Sequence, residues 1–103
     1  MSKRLEMLQR LVASGSTDPF ARYGLAMEQR SLGDREAARA TFGELRAQAP
    51  GYVPQYLMAA QLEVELGDHA AARVIGEAGL VAARDKGDSH ALHELETLLA
   101  GLG

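Results

Sequence analysis

The side chains of this 103-residue chain best suited to chemistry are three histidines, scattered carboxylates and a few serines. His90 and His93 stand three residues apart, with Glu94 four after His90. On one helix, two imidazoles at that spacing can face a single metal ion, with a third ligand from Asp85, Asp88 or a second chain. The His-Glu-x-x-His order of zinc proteases is absent, and a solvated helix start accounts for the same residues. No metal is therefore assigned, and His90 and His93 stay only as candidate ligands. His69 stands alone beside a helix cap. Ser14, Ser16, Ser31 and Ser89 fall at predicted helix ends or turns, where hydroxyls cap, and no nucleophile-elbow pattern surrounds them. Gly15-Ser16-Thr17 is too short for a phosphate cradle and lacks a P-loop lysine. Glu63 and Glu65 point to different faces of a helix, which does not suit general acid–base work. The residues assign no catalytic group and no cofactor.

The composition narrows the class further. A hydrophobic fraction of 47% with 24% charged residues suits a soluble globular chain and not a disordered one. At this length the residues make one domain, since two cores would each be near the limit of unaided folding. Cysteine is absent, which removes disulfides, thiolate metal sites and a cysteine nucleophile. Net charge is −3 and the isoelectric point about 5.5, so no broad basic field favours nucleic acid. Arg35, Arg39 and Arg46 recur along one side of a predicted helix, with Glu36 and Glu44 nearby, as on a solvated outer face. No apolar run reaches the roughly 20 residues of a membrane span. Glu6, Gln9 and Arg10 interrupt the apolar residues after Lys3-Arg4 before a signal-peptide core can form. The expected compartment is the cytoplasm, with no membrane and no nucleic-acid partner.

The positioning elements are read from an internal period. Leu32-Gly33-Asp34 recurs as Leu66-Gly67-Asp68, an interval of 34 residues, and Ala38 answers to Ala72. One interval further on, Gly101 gives a weaker echo. The Gly-Asp pair has a mechanical reading: glycine closes one helix in the left-handed conformation and aspartate caps the next. Asp18-Pro19 places a capping acid before a proline at the first helical position. Pro50-Gly51 stops a helix and Pro54 opens another, while Gly87-Asp88 is again a stop and a cap. The spacing predicts six helices at 2–14, 19–32, 35–48, 53–66, 69–85 and 89–100. No segment alternates as an amphipathic strand does. The predicted fold is all-α, built from antiparallel helix pairs with tight turns.

Over residues 19–86 the chain resembles the tetratricopeptide repeat (TPR), a 34-residue helix–turn–helix unit. Leu25, Ala26, Gly33-Asp34, Ala38, Phe42 and Pro50 fit the first repeat, and Tyr56, Ala60, Gly67-Asp68 and Ala72 fit the second. Arg22 replaces the first large aromatic, Gln29 and Glu63 replace another, and Gly76, Gly79 and Arg84 replace the aromatic, small and proline positions of the second repeat. The resemblance implies a short superhelix of stacked hairpins: an amino-terminal half-repeat at 1–17, repeats at 19–52 and 53–86, and a capping helix at 87–103.

The resemblance also implies that the first helices line a concave groove with Phe20, Tyr23, Met27 and Arg30, then Pro54, Leu57, Gln61 and Val64, with Tyr52 at the rim. Spacing alone makes Phe20, Tyr23 and Met27 one stripe, distinct from an Ala21, Leu25 and Leu32 stripe. A helix apolar on two sides has more than one packing partner. Either a partner protein covers the Phe20 stripe or the amino-terminal helix folds over it. The carboxylate clamp of some family members is missing, since its positions carry Tyr23, Met27, Leu57 and Gln61; an amphipathic helix or an extended apolar segment suits the groove better. Ala72, Gly76, Gly79 and Ala83 form one smooth helical face, open to Leu92, Leu95 or Leu99 of the last helix, or to a helix of another chain. The expected function is a non-catalytic protein–protein interaction scaffold. The alternative is a self-associating homodimer that buries the apolar face of Leu95, Leu98, Leu99 and Leu102.

Overall fold

A computed structural model describes residues 2–103, and among them every regular element is a helix. The six are α1 (Lys3–Ala13), α2 (Pro19–Ser31), α3 (Arg35–Gln48), α4 (Pro54–Glu65), α5 (His69–Lys86) and α6 (Ser89–Gly101). Each predicted span differs from the observed one by at most a residue at either end. None of these helices is long and apolar enough to cross a membrane.

The turns repeat one device. Gly33, Gly67 and Gly87 adopt positive φ of 86°, 79° and 67°, where a β-carbon is strained. The aspartate that follows serves two helices at once. Its backbone N–H reaches back five residues, Asp34 to Gln29, Asp68 to Glu63 and Asp88 to Ala83, each at 2.9 Å. Its carboxylate then accepts the N–H three residues ahead, from Ala37, Ala71 and Ala91, at 3.0–3.2 Å. Asp34→Ala removes the second of these bonds and is expected to cost ~1 kcal/mol. A urea midpoint lowered without change of slope is the readout, and an unchanged midpoint would show that the cap contributes nothing.

The helix α4 starts differently. Val53 supplies no side-chain cap. Pro54 occupies the first helical position instead, and two side chains hold the preceding turn: Gln55 Nε2 donates to the Tyr52 carbonyl at 3.1 Å, and the Tyr56 hydroxyl donates to the Pro50 carbonyl. Both residues are buried, so their polar atoms need these partners.

The contacts group the chain into two units, Met1–Ala49 and Pro50–Gly103. In the first, α2 packs on α1 and α3. Leu8 of α1 closes on Gly24 of α2, whose added β-carbon would stand 3.1 Å from Leu8 Cδ2. Arg4 pairs with Glu28 at 3.5 Å, and Ser2 Oγ donates to the same carboxylate. Between α2 and α3, Thr41 Oγ1 donates to Gln29 Oε1 at 2.6 Å, so the glutamine at an aromatic position finds a polar partner. Arg22, at another aromatic position, stands 3.9 Å from Glu44. Ala38, Phe42 and Leu45 are buried on the inner face of α3.

In the second unit, α5 packs on α4 and α6. The smooth face of α5 is filled from within the chain. A β-carbon on Gly76 would lie 2.8 Å from Leu99 Cδ2, and one on Gly79 would lie 2.6 Å from Tyr56 Cβ and 3.0 Å from Leu95 Cδ1. Two interior glycines cost about 1 kcal/mol each in helix propensity. Close approach of α4 and α6 is what that cost permits. Tyr56 occupies the position that Arg22 holds in the first repeat, and it is buried.

One expected core residue lies outside. Leu32, grouped by spacing with Ala21 and Leu25, is 54% exposed, whereas those two are buried. It is the C-cap residue of α2, past the last full turn, and lines a shallow cleft with Leu5, Glu6 and Gln9.

Candidate functional site

The Phe20 stripe stands on α2, held by Asp18, whose carboxylate accepts the Phe20 N–H at 3.0 Å. Phe20 is 57% exposed, and Tyr23, Met27 and Arg30 are half-buried. The Phe20 and Tyr23 rings lie 6.4 Å apart, tilted by 38°, as a small aromatic platform. Burial pushes the Tyr23 phenol above its ordinary range, and the neighbouring Arg30 guanidinium pulls it the other way. At neutral pH the hydroxyl is therefore protonated and able to donate. The helix α1 does not cover Phe20. It lies along α2 through Leu8, Gly24 and the Glu28 carboxylate.

The second stripe belongs to α4. Leu57 and Gln61 are half-buried, Val64 is exposed, and Tyr52 sits half-buried just before the helix. Pro54, at the first helical position, is exposed. Leu57 and Gln61 also line a cleft of about 370 Å³ with His93, Glu94, Thr97 and Leu98 of α6. Spacing did not indicate this cleft, because it depends on how α6 settles beside α4.

Of the other candidates, His93 reaches the α4 stripe through that cleft, and the rest stand apart from the stripes or have simpler partners. His90 Nε2 lies 3.0 Å from Glu94 Oε1, and both histidines are exposed on α6. Among the described residues no three His, Cys, Asp or Glu side chains gather as a metal set. His90, His93, Glu94 and Thr97 fall one period after Tyr56, Ala59, Ala60 and Glu63, which are buried in α4. The α6 residues are exposed, so the helix turns polar groups outward where α4 hides its inner face. His69 is exposed beside the Asp68 cap. Ser14 Oγ donates to the Leu11 carbonyl, and Ser16 Oγ accepts from the Asp18 N–H. Arg39 pairs with Glu36 at 3.6 Å; Arg35 is exposed, and Arg39 and Arg46 are half-buried along the same side of α3.

Two exposed apolar pairs escaped the sequence reading: Met7 with Leu11 on α1, and Val74 with Val81 on α5. The first pair was open to detection by subtracting one period from Thr41 and Leu45.

Equal helical hairpins, closed and capped by the same Gly-Asp device, define a helical-repeat protein with apolar helix faces open to solvent. No protein-family profile matches the chain. It is 30% identical over 98 residues to a TPR repeat-containing protein of Pseudomonas aeruginosa, covering 95% of this chain and 93% of that one. The crystal structure of a tetratricopeptide repeat domain protein from Salinibacter ruber matches with a TM-score of 0.79 and 32% identity, over 82% of this chain and 96% of the other. A solution structure of a Bordetella parapertussis protein matches with a TM-score of 0.82 and 26% identity, over 99% and 89%. The chain belongs to the tetratricopeptide-repeat family. That fold generally serves as a protein–protein interaction scaffold.

Proposed function

We propose that this chain is a non-catalytic scaffold that takes a helix or an extended apolar peptide of another protein on the α2 and α4 stripes. The exposure of Phe20, on a helix whose opposite side is already buried through Ala21 and Leu25, carries this reading. Core burial does not account for a phenyl ring left in water, whereas partner contact does. Arg30 and Gln61 supply polar contacts at the edges of the stripes, and Tyr52, Leu57 and Val64 supply apolar area. The test is capture from the native cell extract with wild type and with Tyr23→Ala/Leu57→Ala. A protein retained by wild type and lost from the double variant supports the assignment, and equal retention by both refutes it.

A self-paired dimer is the second reading, favoured by Leu98 and Leu102, which α6 leaves half-exposed. Most of that helix's apolar face is used inside the chain, Leu95 being buried against Gly79 and Leu99 standing over Gly76. Sedimentation of wild type and Met27→Glu separates the readings. A wild type that stays monomeric at high concentration removes self-pairing, and a dimer that Met27→Glu dissociates places the α2 stripe in the dimer interface.

A further inference from the structure

The α4 stripe continues onto α6. Leu57 and Gln61 form one wall of the 370 Å³ cleft, and His93, Glu94, Thr97 and Leu98 form the other. Leu57 and Leu98, both half-buried, are its apolar part, and Glu94 is its carboxylate.

Neither wall brings a permanent positive charge. Residues 50–103 contain three Lys or Arg side chains, Arg73, Arg84 and Lys86, and all three stand on α5. None of them lines the cleft. The helices α4 and α6 hold Glu63, Glu65, Glu94 and Glu96 and no Lys or Arg. Glu63 is buried, so the charge these two helices present to solvent is that of the other three. Glu94 meets His90 at 3.0 Å across one helical turn, and that imidazole is exposed. An exposed pair of this kind contributes little, so His90 yields to a stronger cation. By contrast, α2 carries both Arg22 and Arg30, so the acidic bias belongs to the α4–α6 cleft and not to the α2 stripe.

We propose that the segment taken by the α4 stripe is basic: an apolar side chain of another protein enters the cleft between Leu57 and Leu98, and a Lys or Arg beside it reaches Glu94. Charge complementarity selects this occupant. An acidic segment would set like charges against Glu94, with no Lys or Arg on either wall to offset them. The inference rests on the partner-contact reading of the α4 stripe and adds to it the sign of the partner's charge.

The probe is a synthetic peptide of about 14 residues with leucines along one helical face and lysines flanking them, and a twin carries glutamates for the lysines. Titrated into isotope-labelled protein at low salt, the lysine peptide is expected to shift the amides of Leu57, Gln61, Glu94 and Leu98. It is expected to bind several-fold more tightly than its twin. Glu94→Lys, at an exposed position, weakens the lysine peptide by about tenfold and tightens the twin, because an attraction becomes a repulsion. Glu96→Lys makes the same change of net charge at an exposed position of α6 that does not line the cleft, and it leaves the preference in place. Equal weakening by the two variants would reduce the effect to net charge and overturn the proposal. Equal affinity of the two peptides at the α4 and α6 amides would overturn the basic occupant and leave the groove reading intact. Silence of α4 and α6 toward both peptides would overturn the proposal and the groove reading together. Shifts of those amides on concentrating the protein alone would assign the cleft to a second copy, which also overturns the proposal.

Discussion

Phe42→Ala is expected to lower the free energy of unfolding by about 3–5 kcal/mol, the largest loss of any single truncation here. The ring is 1% exposed on α3, between Ala38 and Leu45, which are buried completely. Ala38 has no side chain long enough to refill a phenyl-sized hole and Leu45 is already fully packed, so the cavity term adds to the lost transfer energy. Domains of this size carry only about 5–15 kcal/mol in all, so much of the folded population is at stake. Urea unfolding followed by circular dichroism gives the value. A loss below about 1 kcal/mol would mean that the region around α3 is loosely packed, contrary to the burial described above.

The two interior glycines of α5 respond in opposite ways to alanine. At Gly79 the new methyl meets Tyr56 Cβ at 2.6 Å, an atom fixed to the backbone of α4, and Leu95 at 3.0 Å from the other side. Tyr56 Cβ cannot withdraw without moving α4, so overpacking of about 1–3 kcal/mol exceeds the propensity gain of about 1 kcal/mol. At Gly76 the nearest atom is Leu99 Cδ2 at 2.8 Å, the far end of a half-exposed side chain that can rotate aside. Gly76→Ala is expected to be neutral or to stabilise by up to about 1 kcal/mol. Thermal unfolding of the pair checks both, and a destabilisation of equal size at the two sites would contradict the asymmetry.

The repeat frame was legible in the residues because its signals are local. A glycine that must be left-handed and an aspartate that caps are decided within a few residues, so the helix bounds follow from spacing. What faces each helix is a longer-range matter. Leu32 has the spacing of a buried residue, yet it falls on the cap where the helical face has ended. Leu95 and Leu99 were named as partners for the smooth face of α5, but Tyr56 was not, because its approach to Gly79 depends on how α4 crosses α5. The stripe of Phe20, Tyr23 and Met27 was visible as a pattern, whereas the exposure of Phe20 follows from where α1 lies along α2. His90 and His93 suggested metal chemistry by type and spacing. In the fold both are exposed polar residues of α6, one period after the buried Tyr56 and Ala59, and His93 borders the cleft beside Leu57 and Gln61.

The account rests most heavily on the assignment of partner contact to the α2 and α4 stripes. Its most direct test is to titrate the captured partner into isotope-labelled protein and follow every backbone amide. The largest shifts are expected at Phe20, Tyr23 and Met27 of α2 and at Leu57, Gln61 and Val64 of α4. Shifts gathered instead around Val74 and Val81 on the outer side of α5, with both stripes silent, would contradict it.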